Sequence, residues 1–174
     1  MSQLLSNGTV TLRALEPTDL EALYRWENDT ALWAVSDTIA PYSRESLWNY
    51  LENYTSDLYA QRQLRLMVTL ADDGTPAGTI DFLNFDPLNN RAELGLFIAS
   101  ELRGKGLGRQ ALELLTAYAR DHLGLRELHV FIAIDNEVCL KLFEDFGYRR
   151  VGVLQSWVKR GSNYRDVALL QMIL

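Results

Sequence analysis

Cysteine and histidine are scarce in this sequence of 174 residues, which contains one cysteine, Cys139, and two histidines, His122 and His129. A single cysteine cannot form a disulfide within the chain. A structural zinc site usually draws about four ligands from cysteine and histidine, so almost none are available here. We therefore expect neither an intrachain disulfide nor a bound metal.

Positive charge and long apolar runs are also lacking. The net charge is −6, and the longest basic cluster is the pair Arg149–Arg150. Binding to a phosphate backbone needs a positive surface, so a nucleic-acid partner is not expected. An acidic chain would suit a cationic substrate, although many cytoplasmic proteins carry such a charge for solubility alone. With no run near the ~20 apolar residues of a membrane span and no signal peptide, we expect a soluble, cytoplasmic protein without membrane contact.

The chain lacks repeats, low-complexity segments and Pro/Gly/Ser-rich linkers. We therefore predict a single domain over residues 1–174, a length that suits one hydrophobic core.

Hydrophobic patterning predicts a mixed α+β fold. Strands are expected at residues 9–12, 65–71, 77–85, 91–99, 128–134, 148–158 and 164–173. Helices are expected from a capping box at Thr18–Glu21, after a cap at Ser43, over residues 106–122, and from Asn136 to Gly147. The strand at 128–134 is nearly all apolar, which is typical of a strand buried on both faces. Hairpins flank a single β-α-β unit, so the sheet is mixed rather than doubly wound.

The segment Arg103-Gly-Lys-Gly-Leu-Gly-Arg109 lies between a predicted strand and a long predicted helix. Its three glycines leave backbone N–H groups uncovered at a helix N-terminus, where the helix dipole favours negative charge. Three cationic side chains add to this preference, and a pyrophosphate would fit. The segment lacks the Gly-Lys-Ser/Thr of a Walker A loop. Residues 106–111 fit the loose dinucleotide pattern Gly-x-Gly-x-x-Gly/Ala, but the successive β-α-β units of that fold are missing.

Two motifs resemble the GNAT acyl-CoA N-acetyltransferase superfamily. The hallmark Arg/Gln-x-x-Gly-x-Gly/Ala after a strand stands here as Arg103-Gly-Lys-Gly106-Leu-Gly108. The second hallmark, an Asn after the next strand and a short helix ending in Gly-Phe or Gly-Tyr, runs from Asn136 to Gly147-Tyr148. Three weaker features are similar to the branch of ribosomal-protein alanine and spermidine or diamine N-acetyltransferases: the segments at 12–19, 91–95 and 163–166.

This resemblance implies a GNAT-like fold. Its central sheet would be mixed and mostly antiparallel, splayed between two parallel strands and flanked by about four helices. It also implies acetyl-CoA as co-substrate, with the pantetheine arm along the strand and the pyrophosphate at the glycine-rich loop. The cofactor-binding residues implied are Leu96, Phe97, Ile98, Arg103, Gly104, Lys105, Gly106, Leu107, Gly108, Arg109, Asn136 and Phe143. Related domains often dimerise, so a homodimer is compatible with it.

Acetyl transfer needs a neutral amine, and an alkyl amine of pKa ~10.4 is neutral in only about one part in 2,500 at pH 7. Glu93 is the candidate base, although an ion pair with a nearby arginine would explain it equally well. The resemblance implies that the Leu96 N–H stabilises the carbonyl oxygen as it gains negative charge. Many relatives place a tyrosine where this chain has Phe143, which cannot protonate the leaving thiolate. Cys139, one turn earlier, is interpreted as a packing residue.

The sequence therefore predicts an acetyl-CoA-dependent N-acetyltransferase. Its acceptor would be a primary amine, either a polyamine-like small molecule or a protein N-terminus, and it would attack the thioester directly. Phe143 keeps open the alternative of a non-catalytic CoA-binding or interaction module. Residues that could line the acceptor cleft are Trp26, Glu27, Asp29, Trp33, Asp37, Tyr42, Trp48, Tyr50, Tyr54, Asp81 and Asn84.

Overall fold

The computed structural model describes residues 4–36 and 38–174, which leaves the predicted cleft residue Asp37 outside the described residues. Within them, one sheet contains seven strands: β1 Val10–Arg13, β2 Leu64–Leu70, β3 Pro76–Asp86, β4 Arg91–Ile98, β5 Glu127–Ala133, β6 Arg149–Arg160 and β7 Asn163–Ile173. The strand order is β1-β2-β3-β4-β5-β7-β6. Only β4 and β5 are parallel neighbours, and every other pair is antiparallel. The predicted mixed, mostly antiparallel sheet is confirmed.

The helices are α1 Leu20–Glu27, α2 Trp33–Ser36, α3 Arg44–Asn53, α4 Leu58–Gln61, α5 Leu107–Asp121 and α6 Glu137–Phe146. The four longer ones, α1, α3, α5 and α6, are those that the sequence predicts. The four-residue helices α2 and α4 were not predicted, because one turn is too short to show a hydrophobic period. No helix in the described part of the chain is long and apolar enough to cross a membrane.

Helices cover both faces of the sheet. Leu112 and Leu115 of α5 and Leu140 of α6 belong to the larger core cluster, with inward residues of the strands. On the opposite face, Leu23 and Trp26 of α1 join a smaller cluster with Leu51, Met67 and Ala99. Strand β4 therefore has apolar contacts on both sides, and alternate residues serve the two clusters.

Strand β5 is buried on one face only, so the prediction of burial on both faces is wrong. Leu128, Val130 and Ile132 are buried, whereas Phe131 on the other face is 39% exposed. The smaller cluster under α1 and α3 contains residues of β2 and β4 but none of β5. An apolar run in the sequence cannot show which of its faces a helix will reach.

An ion pair ties β1 to the start of α1. Arg13 binds both carboxylate oxygens of Asp19, at 2.8 and 2.7 Å. Asp19 is 1% exposed and also accepts the N–H of Glu16 at 2.8 Å. The helical segment begins with a 3₁₀ turn at Pro17–Asp19. The Asp19 carboxylate binds the backbone N–H of Glu16, the N-cap of this turn. The observed capping box joins Glu16 and Asp19, so the box predicted at Thr18–Glu21 lies two residues too late.

We predict that Asp19→Asn lowers the free energy of unfolding by about 2–3 kcal/mol, because it leaves Arg13 without its buried partner. Glu21→Gln is the matched control: it breaks an ion pair with Arg44 in which both side chains are more than half exposed. Exposed ion pairs contribute little to stability, so this variant should unfold at the same urea concentration as the wild type. Urea denaturation measures both. Equal effects of the two substitutions would contradict the assignment.

Candidate active site at the split between two strands

The parallel strands β4 and β5 pair over only three positions and then diverge. The registered pairs are Arg91 with Glu127, Ala92 with Leu128, and Glu93 with His129. Beyond them β5 stays paired with β7 as far as Ala133, while β4 stays paired with β3 as far as Ile98. The sheet therefore opens between two strands that are both held on their outer sides.

Backbone groups of β4 are left free on the open side. The Ala99 N–H donates to the Ala77 carbonyl across β3, and the Asn90 carbonyl accepts a bond from Glu127 on the β5 side. Since N–H and C=O directions alternate along a strand, the even-numbered residues of β4 direct both groups toward β5. The Leu96 N–H and C=O thus point into the split, where no strand of the described residues pairs with them. This is the edge along which an extended ligand could pair.

Arg103 closes one end of this edge. Its Nε donates to the Ile98 carbonyl at 2.8 Å, and its guanidinium lies 5.9 Å from the centre of the Phe97 ring. The Ile98 carbonyl is therefore already used, while the backbone groups of Leu96 are free. In this structure the arginine of the glycine-rich motif therefore binds the last residue of β4.

The glycine-rich loop presents unpaired amides. Gly106 is the N-cap of α5, and the first intrahelical bond runs from the Gln110 N–H to the Gly106 carbonyl. Among the described residues, the N–H groups at 104–109 donate to no backbone or side-chain acceptor. Several unpaired N–H groups at the N-terminus of a 15-residue helix could together bind an anion.

The positions of the loop glycines differ in whether they require glycine. Gly106 has φ of +77° and Gly104 has φ of +75°, a left-handed conformation that side chains with a Cβ disfavour. At Gly108, which lies within α5, a Cβ would meet Ile98, Leu142 and Leu96 at 3.6 Å, which is ordinary contact. This explains why the motif can accept alanine at the last glycine but not at the middle one.

The three cationic side chains of the loop differ in whether another group of the protein already binds them. Arg109 Nε lies 3.2 Å from Glu113 Oε1, one turn along α5, and Arg103 binds Ile98. Lys105 is exposed and has no ion-pair partner within the described residues. Lys105 is thus the cation most available to a phosphate group.

Asn136 and Phe143 lie on the other side of the split. Asn136 caps α6 by accepting the Cys139 N–H at 3.3 Å, as predicted, and its side-chain amide group remains available. Phe143 is 1% exposed and packs edge-on against Tyr148, with ring centres 5.0 Å apart. That burial argues against the predicted cofactor contact of Phe143, because the ring has almost no surface left to offer.

Glu93 occupies the last paired position before the split. It is half-buried, and its Oε2 accepts a hydrogen bond of 2.7 Å from the Asn84 side chain. Asn84 has φ of +48°, at a point where the β3–β4 register shifts between Leu83 and Asp86. Asn84 is thus positioned by a bulge, and its partner is the candidate base. No arginine pairs with Glu93 in the described structure, so the ion-pair interpretation is not supported.

A charged cluster of one buried and two half-buried residues lies on the same face as Glu93. Arg65 Nε binds Asp81 Oδ1 at 2.7 Å, and Arg65 Nη1 lies 3.4 Å from Glu27 Oε1. The Tyr54 hydroxyl bonds both backbone groups of Arg65. Burial raises the pKa of the Asp81 carboxyl, and the neighbouring guanidinium opposes that shift. Burial likewise raises the pKa of Tyr50, beside this cluster, to about 12.

Asp81 also explains Gly95. The two residues are opposite each other in the β3–β4 register, and a Cβ on Gly95 would lie 3.1 Å from Asp81 Oδ2. The absence of a side chain at Gly95 makes room for a carboxylate beside Leu96. Sequence reasoning did not single out Arg65. The signal was available, because charged residues stand inside two neighbouring apolar strands, Arg65 in β2 and Asp81 in β3.

The remaining predicted cleft residues are spread more widely. Trp26 packs on Phe97, with ring centres 5.3 Å apart, and the Trp33 indole donates to the Glu27 carbonyl. Tyr42 and Trp48 are exposed, and within the described residues neither forms a hydrogen bond with the Arg65 cluster. The predicted cleft residues that contact Arg65 thus come from α1, the end of α3 and β3.

Comparisons with known proteins find similar sequences and folds among acetyltransferases. A family model described as an acetyltransferase (GNAT) domain matches residues 9–149. The chain is 26% identical over 164 residues to spermidine N(1)-acetyltransferase of Escherichia coli K12, which covers 92% of this chain and 84% of that protein. It is 27% identical over 174 residues, covering 96% and 92%, to a Bacillus subtilis protein named provisionally as a ribosomal N-acetyltransferase.

A solved structure shows the same architecture. Spermidine N-acetyltransferase from Vibrio cholerae, in complex with CoA and spermine, superposes with a TM-score of 0.84 at 25% identity, over 96% of each chain.

We predict that Cys139 stays a protonated thiol in the native protein. Burial raises the pKa of its thiol to about 11, so the native state holds roughly a hundredfold less thiolate than an unfolded chain at pH 8. Folding favours the neutral thiol. Its contribution to stability is therefore complete below the ordinary thiol pKa and is lost as the pH rises through about 11.

The measurement is the rate of reaction with a disulfide reagent at pH 8, with and without urea. Cys139→Ala should abolish the reaction, because the sequence has no other cysteine. A native thiol that reacts as fast as the unfolded one would contradict the assignment.

Proposed function

Because this chain belongs to the acetyltransferase (GNAT) domain family, we propose that it is an N-acetyltransferase that transfers an acetyl group from acetyl-CoA to a primary amine. The observation that carries the proposal is the open edge of β4 beside unpaired helix amides. The extended amide-containing arm of such a cofactor would need an open strand edge, and its pyrophosphate would need unpaired amides. Here the loop with the amides directly follows the strand with the open edge. No disulfide, metal or nucleic acid is needed for this chemistry.

The cofactor would bind from the loop inward. The pyrophosphate would accept hydrogen bonds from amides at 104–109, with Lys105 adding charge. The pantetheine arm would pair with the Leu96 backbone and extend the sheet into the split. Phe97 and Ile98 would flank it, and Asn136 would reach it with its side-chain amide. The Leu96 N–H would then stabilise the thioester oxygen as it gains negative charge.

Glu93 would accept the proton of the incoming ammonium. Its Oε2 is held by Asn84, so the carboxylate is oriented and its other oxygen is available. The neutral amine would attack the thioester carbon directly and the thiolate would leave. The second proton on the attacking nitrogen would then pass to the thiolate, which gives the amide and the thiol. Phe143 donates no proton, and a thiol of pKa near ~8.5 leaves without an acid.

The acceptor proposed is a polyamine-like small molecule. Two carboxylates, Glu27 and Asp81, face one guanidinium, Arg65, so the cluster carries one surplus negative charge. A second ammonium group of the acceptor would balance that charge. The names of two similar proteins contain spermidine, and one of their structures holds spermine. A protein N-terminus is the alternative acceptor, and a homodimer and a cytoplasmic location remain predictions.

The test is thiol release from acetyl-CoA with spermidine, aminoglycosides and alanine-starting peptides as acceptors. We expect turnover with spermidine, and a fall in kcat of about a hundredfold or more in Glu93→Gln, with unchanged binding of acetyl-CoA. Glu144→Gln is the matched control, because Glu144 pairs with Arg150 on the exposed side of α6. Tight acetyl-CoA binding without turnover on any amine would favour the non-catalytic module instead.

A second prediction compares two glycines of the cofactor loop. Gly106→Ala should weaken CoA binding about tenfold and destabilise the fold by about 1 kcal/mol, because its φ is left-handed. Gly108→Ala should bind CoA normally, since its new methyl group meets only ordinary contacts. Calorimetric titration with CoA measures the difference. Equal binding by both variants would show that the loop conformation does not hold the cofactor.

A further inference from the structure

His129 is a half-buried titratable residue that has no role in the proposed mechanism. It forms the last registered pair between β4 and β5, opposite Glu93. Directly paired residues of neighbouring strands project to the same face, so the imidazole and the candidate base lie side by side at the start of the split. Its side chain is 17% exposed.

The imidazole has one ring nitrogen without a partner. His129 Nδ1 is buried and makes no hydrogen bond within the described residues. Its charged neighbour is Glu127 Oε1, at 3.5 Å, which is too long for a well-formed hydrogen bond. A carboxylate that faces Nδ1 favours the form in which Nδ1 carries the proton. The other nitrogen, Nε2, is then free to accept one.

Other groups around His129 leave this arrangement intact. On β4, Glu93 and Arg91 face the same side, and Arg91 is paired with Asp86 at 3.2 Å. On β5 the neighbours are Glu127 and Phe131, whose ring stands edge-on to the imidazole at 5.8 Å. On β7 the registered partner is the uncharged Gln171, and Arg149 of β6 lies opposite Gln171.

The proposed reaction releases one proton in each turnover. An ammonium ion and an acetyl thioester give an amide, a thiol and one proton, which must leave the cleft before Glu93 can act again. Glu93 is held by Asn84 and makes no direct ion pair with His129 in the described structure. A water molecule would have to connect the two side chains.

Building on the proposed function, we propose that His129, oriented by Glu127, is a positioning and proton-relay residue for Glu93. The proton passes from the ammonium nitrogen to a Glu93 carboxylate oxygen, then through water to His129 Nε2, and from there to solvent. Glu93 returns to the carboxylate form, and His129 returns to the neutral form with its Nδ1 proton.

His129→Gln tests this proposal, with His122→Gln as the matched control. His122 stacks on Tyr118 at 5.1 Å, at the end of α5, away from the split. We expect His129→Gln to lower kcat about tenfold or more, with CoA binding and urea stability close to wild type. Added imidazole should restore most of the activity of His129→Ala, because a diffusible base can carry the proton. His122→Gln should match the wild type.

A measurement on the wild-type protein does not depend on the folding of any His129 variant. Nitrogen-15 NMR of the two histidines, assigned with His122→Gln, should show that the neutral imidazole of His129 carries its proton on Nδ1. A proton on Nε2 instead, or an active His129→Gln enzyme with an unchanged pH profile, would overturn the relay. Loss of activity in His129→Ala without rescue by imidazole would also overturn it. A wild-type protein without transferase activity on any amine would instead count against the proposed function.

Discussion

The separation of β4 from β5 is the constraint on which the rest of this structure depends. Each strand keeps its hydrogen bonds on the outer side, β4 with β3 and β5 with β7, so neither can close the gap. The Leu96 backbone groups are left without a strand partner, and such groups are costly to leave unpaired when water is excluded. A ligand that pairs along this edge would remove that cost. The split is thus an irregularity of the sheet that leaves an edge along which a ligand could pair.

The glycine-rich loop works with the split because β4 leads directly into it. The strand ends at Ile98, a 3₁₀ turn covers Ser100–Leu102, and α5 begins at Leu107. Arg103 reaches back to the Ile98 carbonyl and fixes the end of the strand, while the left-handed glycines turn the amides outward. The position of the unpaired loop amides relative to the open edge follows from this short connection.

One face of β4 packs into the larger hydrophobic core, and the other face carries the candidate base. Ala92 and Leu94 pack into the larger core under α5, which fixes the strand. Glu93 and Gly95 belong to the opposite face, which also carries the Arg65–Asp81 ion pair and packs against α1 and α3. Asp81 above Gly95 shows how this division operates: a buried carboxylate fits because the residue opposite it has no side chain. The core on one face thus permits a polar cleft on the other.

The amino-acid sequence by itself determined the seven strands, the four longer helices, the cap at Asn136 and the glycine-rich entry to α5. These depend on local periodicity and on turn and capping residues, which act within a few positions of the chain. Only the tertiary structure decided that Phe143 is buried, that β5 is covered on one face, and that Arg65 meets Asp81 and Glu27. It also decided that His129 stands beside Glu93. Such features depend on strand register and on which helix covers which face, and contacts between residues far apart in the chain set both.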